Sequence, residues 1–417
     1  MSTPTRERSQ VTVDNSTSRG TLFFARESTG YTGRAGRDVR IDMLRGVALV
    51  LFAVAVLIKV SDPQTQAYDS TATVAAVAFI ITLEGALLGM LYRPRLPARL
   101  GESALRVWRR ARSWYLSCLS VVVAIVLLGQ IPGVNTDAIT VLELGDQPFL
   151  FGAPPTDAAE LAIAYPLDPG VLLDIVLLRV GPWPLDVAVL IVTLLMIAPL
   201  CMLALSRGRW LVLFACSVSL YAIELMTTVR LLPTRAEANL PILGWQLVFV
   251  LGMTAGHYRR EVVQWCRRGA GLALFVLLAT AAVTWLVLPA ALGLAGQRVS
   301  ADLLAAIAGP QTGWLFEPSA PGPLRVALAA IMAVTAYGAL TVGWRPLSRV
   351  LAWLLAPIGS AVMPALVLLV CAAVTTSNFA DATSMQLPVA AIVVIVVAVM
   401  WVVALIGDRA RRKRDPR

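Results

Sequence analysis

The chain has 417 residues, of which 58% are hydrophobic and only 14% are charged, and it carries a formal net charge of +10. Soluble globular domains contain about a quarter charged residues, so this composition excludes that class and indicates a helical membrane protein. The positive charge does not indicate a nucleic-acid partner, because the arginines lie in short segments between apolar runs, where membrane topology accounts for them.

Residues 1–36 are rich in Ser, Thr, Arg and Gly and lack the apolar run and the cleavage site of a signal peptide. Such a segment buries too little apolar surface to fold by itself. We expect a disordered cytoplasmic tail over residues 1–36, a ten-helix membrane domain over 37–407 and a basic cytoplasmic tail over 408–417.

Ten apolar runs are each long enough to cross about 30 Å of hydrocarbon as a helix, which takes about 20 residues. They predict an all-α, polytopic membrane protein of about ten transmembrane helices. The predicted spans cover residues 42–60, 71–92, 113–131, 185–206, 210–229, 240–257, 270–290, 324–343, 350–374 and 387–406.

The segments between these spans are alternately rich and poor in arginine. The rich set includes residues 93–112, 258–268 and the C-terminal tail. The positive-inside rule places that set in the cytoplasm, so both termini are expected there, in agreement with an even number of spans. The long loops 132–184 and 291–323 then lie outside, where they could cap a cavity or serve only as connectors.

Two acidic residues fall inside predicted spans, where a charge is unfavourable and is a candidate for function. Glu84 stands in the middle of "FIITLEGALLGMLY". It could pair with an arginine of a neighbouring helix, or it could face a substrate cavity. Glu224 is less certainly within its span, because one turn of register would bring it towards Arg230.

The sole histidine, His257, stands at the cytoplasmic end of the sixth span among arginines. A histidine in that setting is more typical of an interface than of a general base. No HExxH, GxSxG or phosphate-binding loop occurs, and the five cysteines form no CxxC pair. We therefore expect no metal cofactor and no nucleotide-driven chemistry.

Three further residues are expected to lie near the outer face. Trp245 and Gln246 begin the sixth span in "LPILGWQLVFV", where an indole suits the interface and the amide could bind a sugar or an acyl carbonyl. Arg325 begins the eighth span in "PGPLRVALAA" on the arginine-poor side. A cation there could meet a carboxylate or a phosphate.

From about residue 36 to 375 the chain resembles the OpgC-type integral membrane acyltransferases, relatives of the acyltransferase-3 group that succinylate periplasmic glucans. The likeness rests on an ordered series of motifs and not on any one of them. The series is "RDVRIDMLRGVAL", "FIITLEGALLGMLY", "LLMIAPLCMLALSRGRW", "PILGWQLVFVLGMTAG", "GPLRVALAA" and "LAPIGSAVMPALVLLV".

The resemblance implies transfer of a succinyl- or acetyl-type group from cytoplasmic acyl-CoA to a hydroxyl of an extracytoplasmic glycan or glycolipid, in a bacterial inner membrane. It also implies roles for single residues. Arg40 and Arg45 would contact the CoA phosphates, with Asp42 as their partner at the cytoplasmic mouth of a cavity. Trp245, Gln246 and Arg325 match the later motifs and would hold the acceptor at the outer face, in contact with membrane lipid.

The sequence departs from the family pattern in the first span. Family members carry Asp-His nine to ten residues after the Arg-Gly pair, and this chain has Ala55-Val56 there. Neither side chain can accept a proton. Glu84 could supply the base instead, the alignment of the motif could be shifted, or the protein could be a degenerate relative that binds an envelope component, assembles with it or carries it.

Overall fold

The structure is a computed structural model that describes residues 38–61, 71–95, 98–141, 169–227, 230–266, 269–278, 280–281, 331–338, 340, 351–382 and 389–414. The chain divides into two units, Met1–Val39 and Arg40–Arg417. Of the first unit only Asp38 and Val39 are described. The expected tail 1–36, most of both long loops and Arg325 lie outside the described residues.

Helices are the only extended regular elements in the described part of the chain. They are α1 (Val39–Ser61), α2 (Thr71–Tyr92), α3 (Leu100–Gly129), α4 (Asp137–Thr140), α5 (Pro169–Val176), α6 (Asp186–Ser206), α7 (Trp210–Met226), α8 (Arg235–Asn239), α9 (Ile242–His257), α10 (Arg259–Cys266), α11 (Gly269–Leu278), α12 (331–338), α13 (Leu351–Ser360), α14 (Val362–Ala382) and α15 (Val389–Arg414).

Each predicted span contains helix, which confirms the all-α membrane class. Among the described residues, four helices are long and apolar enough to cross a membrane alone, and a fifth candidate is the pair α13 and α14, which meet at an 88° bend. Several further apolar helices are shorter, and α7 and α9 are among them. The number of ten spans therefore stays a prediction.

Two boundaries differ from the expectation. Helix α3 begins at Leu100, although residues 93–112 were expected to be a loop. Arg106, Arg109 and Arg112 lie at exposed positions of this helix, whose other face is buried through Ser103, Val107 and Ala111, at helical spacing. A hydropathy window averages the two faces and misses such a helix. Helix α15 likewise continues to Arg414, through most of the expected tail.

Backbone-to-backbone packing joins α2 to α9. Gly85 and Gly89 on α2 face Gly252 and Gly256 on α9, so both helices present a Gly-x-x-x-Gly pair. A Cβ atom added to any of the four would lie 2.1–2.3 Å from a backbone carbonyl oxygen of the other helix. Small residues at this spacing let membrane helices approach closely and gain van der Waals contact.

A second close approach joins α1 to α13. A Cβ atom on Gly46 would lie 2.1 Å from the carbonyl oxygen of Leu355, and one on Gly359 would collide with the carbonyl oxygen of Asp42. The bend between α13 and α14 lies at Ala361, two residues after Gly359. The polar start of α1 therefore lies against a break in a neighbouring helix.

The glycine packing predicts that Gly252→Ala destabilises the protein, because the new methyl group must push apart two backbones that have no side chain to rotate away. Overpacking of this kind costs about 1–3 kcal/mol. Thermal unfolding in detergent measures the loss. Gly101→Ala on α3 is the matched control, because a Cβ there meets nothing within 4 Å, and it should leave the unfolding temperature unchanged or slightly raised. Equal effects of the two changes would contradict the packing account.

Candidate functional site

A cluster of charged side chains, the charged centre, is buried where α1, α2 and α3 meet. Its members are Asp42, Arg45, Glu84 and Arg110. Arg45 donates a hydrogen bond to Oε1 of Glu84, and Arg110 donates one to Oε2 at 2.7 Å. Nη1 of Arg45 also lies 3.6 Å from Oδ1 of Asp42, one turn earlier on the same helix. Two acids and two bases therefore balance within one cluster.

Burial makes this balance necessary. The side chain of Glu84 has no exposed surface and that of Arg45 has almost none, whereas that of Arg110 is 24% exposed and its guanidinium lies 5.4 Å from the ring of Trp114. An isolated charge at such a position would be strongly unfavourable, and removal of one partner leaves the others uncompensated. The charged centre therefore fixes three helices to one another.

The charged centre bears on the roles expected for Glu84 and Arg45. Both carboxylate oxygens of Glu84 already accept hydrogen bonds from arginines, so it would have to release one before it could accept a proton. The structure shows the ion-pair partner that the sequence left as one of two alternatives for Glu84. It adds Arg110 as a second partner, whereas the sequence indicates only that residues 93–112 form an arginine-rich cytoplasmic segment.

A second group, the arginine cluster, lies at the predicted cytoplasmic end and consists of Arg40, Arg93, Arg259, His257 and Tyr337. The guanidinium groups of Arg40 and Arg259 lie 4.6 and 5.8 Å from the ring centre of Tyr337 on α12. Arg93 donates to the carbonyl oxygen of His257 at 2.6 Å. Arg40 of α1 and Arg259 of α10 thus meet at one ring of α12. Arg93, directly after α2, binds the backbone two residues before Arg259.

One acid compensates part of this charge. Arg93 donates to both carboxylate oxygens of Glu261, at 2.8 and 2.5 Å. These hydrogen bonds lower the pKa of Glu261 to about 2 and raise that of Arg93. The pair is largely exposed, so it contributes little to stability. It does anchor α10 to the end of α2 and so positions Arg259.

The first span carries apolar side chains at the two positions where family members have Asp-His. Val56 is fully buried and Ala55 nearly so, and both belong to the hydrophobic core. His257 is buried beside Tyr258, with its ring 4.8 Å away, at the opposite end of the molecule from the predicted outer face. No histidine in the described structure stands in for the missing one.

The amide of Gln246 links α9 to α7. Its Oε1 accepts from the hydroxyl of Ser217 at 2.6 Å, and its Nε2 donates to the carbonyl oxygens of Ser217 and Leu243 at 2.7 and 3.1 Å. Both donors are therefore in use, and substrate binding by Gln246, which stays a prediction, would require these bonds to change. Trp245 is buried and not at an exposed interface, and its Nε1 has no hydrogen-bond acceptor among the described residues.

A third group, the outer cluster, lies where α7 ends and α9 begins and consists of Glu224, Arg230 and Glu237. Arg230 donates to Oε1 of Glu224 within a buried ion pair. Glu237 accepts from the backbone N–H groups of Leu231 and Ile242, at 3.1 and 3.0 Å. The outer cluster thereby ties the segment after α7 to the start of α9.

Sequence reasoning missed Glu237, although a signal for it exists. Thr234 and Glu237 form the Thr-x-x-Glu pattern of a helix start, and the Thr234 hydroxyl accepts from the Glu237 N–H at 3.2 Å. Burial raises the pKa of Glu237 to about 7, against the lowering effect of the two backbone donors. A helix of five residues thus carries a carboxyl group that titrates near neutrality.

A family model described as "OpgC protein" matches residues 37–412. The chain therefore belongs to the OpgC family, as its motifs indicated. Neither a comparison with curated proteins nor one with solved structures found a match.

The charged centre predicts a large effect of Glu84→Gln on stability. The change removes the negative charge from between two arginines, and breaking a buried ion pair from one side costs about 3–5 kcal/mol. Thermal unfolding of the purified protein measures it. The control is Glu102→Gln, which removes an exposed acid that lies 3.3 Å from Arg106 one turn away on α3. That variant should change stability by less than about 1 kcal/mol. Similar losses of stability in Glu84→Gln and Glu102→Gln would contradict a structural role of the buried ion pairs.

The raised pKa of Glu237 predicts a pH dependence of stability. Because the folded value, about 7, exceeds the ordinary value of 4.5, the folded state binds the proton more tightly. Protonation of Glu237 therefore stabilises the folded state fully below about pH 4.5, and this contribution is lost as the pH rises through about 7. The free energy of unfolding should fall by at most about 3 kcal/mol over this range. Glu237→Gln should flatten this part of the curve of unfolding temperature against pH. An unchanged slope between pH 4.5 and 7.5 would contradict the prediction.

Proposed function

We propose that this OpgC-family protein is an integral membrane O-acyltransferase. It moves a succinyl- or acetyl-type group from cytoplasmic acyl-CoA to a hydroxyl of an extracytoplasmic glycan or glycolipid of the bacterial envelope. The structural observation that supports it best is the charged centre, in which Asp42, Arg45, Glu84 and Arg110 are held inside apolar helices. Ionisable groups at such positions commonly mark a substrate path through a membrane domain.

The donor would bind at the arginine cluster. Acyl-CoA carries several phosphate groups on its nucleotide end, and arginine guanidinium groups bind phosphate with strong, charge-assisted hydrogen bonds. Arg40 was expected in this role, and Arg259 joins it through the shared contact with Tyr337. The positive-inside rule places this end of the molecule in the cytoplasm, where acyl-CoA is made.

Arg45 is set apart from the arginine cluster by its contacts with Glu84 and Asp42. We propose that these three residues hold the path between donor and acceptor in place, because their ion pairs fix α1 against α2. In this account Glu84 holds Arg45 and Arg110 in place. Its role as the base, one of the alternatives for the missing histidine of the first span, remains a prediction of the sequence.

The acceptor would approach from the outer face, near the start of α9. Trp245, Gln246 and Arg325 are the residues that the sequence assigns to it. The indole suits a sugar, since its face is apolar and its N–H has no acceptor among the described residues. The amide of Gln246 would first have to give up its bonds to Ser217 and Leu243. The surrounding bilayer would bring a glycolipid to the same place.

The buried Val56 favours a second candidate function. Without the family's histidine in α1, the protein could bind or carry an envelope glycan, or assist its assembly, and leave the acyl group untouched. A transfer assay with purified protein in lipid vesicles separates the two. The vesicles receive radiolabelled succinyl- or acetyl-CoA and a β-glucan. Ester-linked label on the glucan is the expected result, and its absence with retained glucan binding would favour the second function.

The donor site predicts a selective effect of Arg259→Ala. Loss of one guanidinium contact to phosphate should raise KM for acyl-CoA by about tenfold and leave kcat within about twofold, because the contact is the same in ground and transition states. The transfer assay at varied acyl-CoA measures both. Arg106→Ala is the control, since Arg106 is an exposed arginine of α3 whose ionic contact is with Glu102. An unchanged KM for Arg259→Ala would contradict this site.

A further inference from the structure

Glu224 is the one buried carboxylate of the outer cluster with an oxygen left over. Its exposed fraction is 5%, and its Oε1 accepts from Arg230. Its Oε2 is buried and takes no hydrogen bond in the part of the chain that the structure describes. Buried polar atoms almost always find a partner, so an open lone pair at such a place calls for an explanation.

The environment of Glu224 holds this carboxylate in one orientation. Arg230 binds one oxygen from the segment after α7, while Tyr221 lies one turn earlier on α7 and is also buried. Glu237 on α8 is the second acid of the outer cluster, and its own oxygens are used by backbone N–H groups. Oε2 of Glu224 is therefore held in one position, although it accepts no hydrogen bond from the described residues.

Glu224 lies at the predicted outer face, from which an extracytoplasmic acceptor must approach. It lies two residues before the end of α7, and Glu237 connects this end to Ile242, the first residue of α9. Trp245 lies one turn further along α9, and its buried Nε1 also has no acceptor among the described residues. An unmet acceptor and an unmet donor thus lie at the same end of two packed helices. A sugar hydroxyl can both donate and accept a hydrogen bond.

The other candidates for a proton acceptor are less suitable. Glu84 has both oxygens bound by Arg45 and Arg110. His257 lies at the end of α9 that is predicted to be cytoplasmic, beside Arg93. Position 56 holds a packed valine. Of these groups only Glu224 combines an open basic oxygen with the predicted outer face.

We propose that Glu224 is the general base that deprotonates the acceptor hydroxyl, a proposal that rests on the proposed acyl transfer. The hydroxyl proton passes to Oε2 as the hydroxyl oxygen forms a bond to the thioester carbonyl carbon. The C–S bond then breaks, the electron pair leaves with the CoA sulfur, and the proton held by Glu224 is returned through solvent to the thiolate. The products are the glycan ester and free CoA, and Arg230 keeps the carboxylate oriented throughout.

Kinetics of Glu224→Gln test the proposal in the vesicle transfer assay. General-base catalysis contributes about 10²- to 10⁴-fold, so kcat should fall by at least about 100-fold while KM for acyl-CoA stays unchanged. Glu224→Ala with added formate should recover part of the lost rate, because a small carboxylate can occupy the vacated space. A purely structural role of Glu224 would be rescued equally by chloride, which can pair with Arg230 but is too weak a base to accept the proton. Glu102→Gln serves as the control with full activity.

The outcomes separate this proposal from the proposed function. If wild-type protein forms no ester, acyl transfer fails and the role of Glu224 falls with it. If wild type is active and folded Glu224→Gln keeps its kcat, the base assignment alone is overturned. Should Glu224→Gln misfold because Arg230 is left uncompensated, the double variant Glu224→Gln/Arg230→Gln removes both charges. A folded and inactive double variant supports the proposal, and a folded and active one overturns it.

Discussion

The arrangement of the membrane domain depends on one acid placed between two arginines. The carboxylate of Glu84 on α2 bonds to Arg45 on α1 and to Arg110 on α3, so this one side chain joins three helices. Hydrophobic burial does not by itself choose one helix arrangement over another in lipid, because lipid tails are as apolar as the side chains. A buried ion pair does favour one helix arrangement, since any other arrangement leaves a buried charge without a partner.

Close backbone packing and one side-chain contact connect the three helices of the charged centre to α9, α13 and α7. Helix α2 lies against α9 through four glycines, and α1 lies against α13 through Gly46 and Gly359. Helix α9 in turn holds α7 through Gln246 and Ser217. The arginine cluster at one end and the outer cluster at the other are therefore both connected to the charged centre. A donor and an acceptor that meet inside the domain would need such a fixed relation.

The sequence predicts the helical membrane class from its composition and the family from its motifs. It also singles out Glu84, because a charged residue inside an apolar run can be recognised from the sequence alone. It does not predict Arg110, since nothing local distinguishes that arginine from its neighbours on α3 that face solvent. Gln246 was expected to be open to substrate, and only the structure shows Ser217 opposite it. Glu224 was noticed from sequence, but the open oxygen that sets it apart depends on where Arg230 and the backbone lie.

A double-mutant cycle on Glu84 and Arg110, read by thermal unfolding, tests most directly whether the charged centre holds the domain together. The single variants Glu84→Gln and Arg110→Gln each leave a charge uncompensated, whereas the double variant removes the acid and one base together. Residues in one buried ionic network show coupling of about 0.5–3 kcal/mol. The account predicts that the double variant loses less stability than the two single variants lose together, by at least about 1 kcal/mol. Additive losses would show that the pair does not act as a unit and would contradict it.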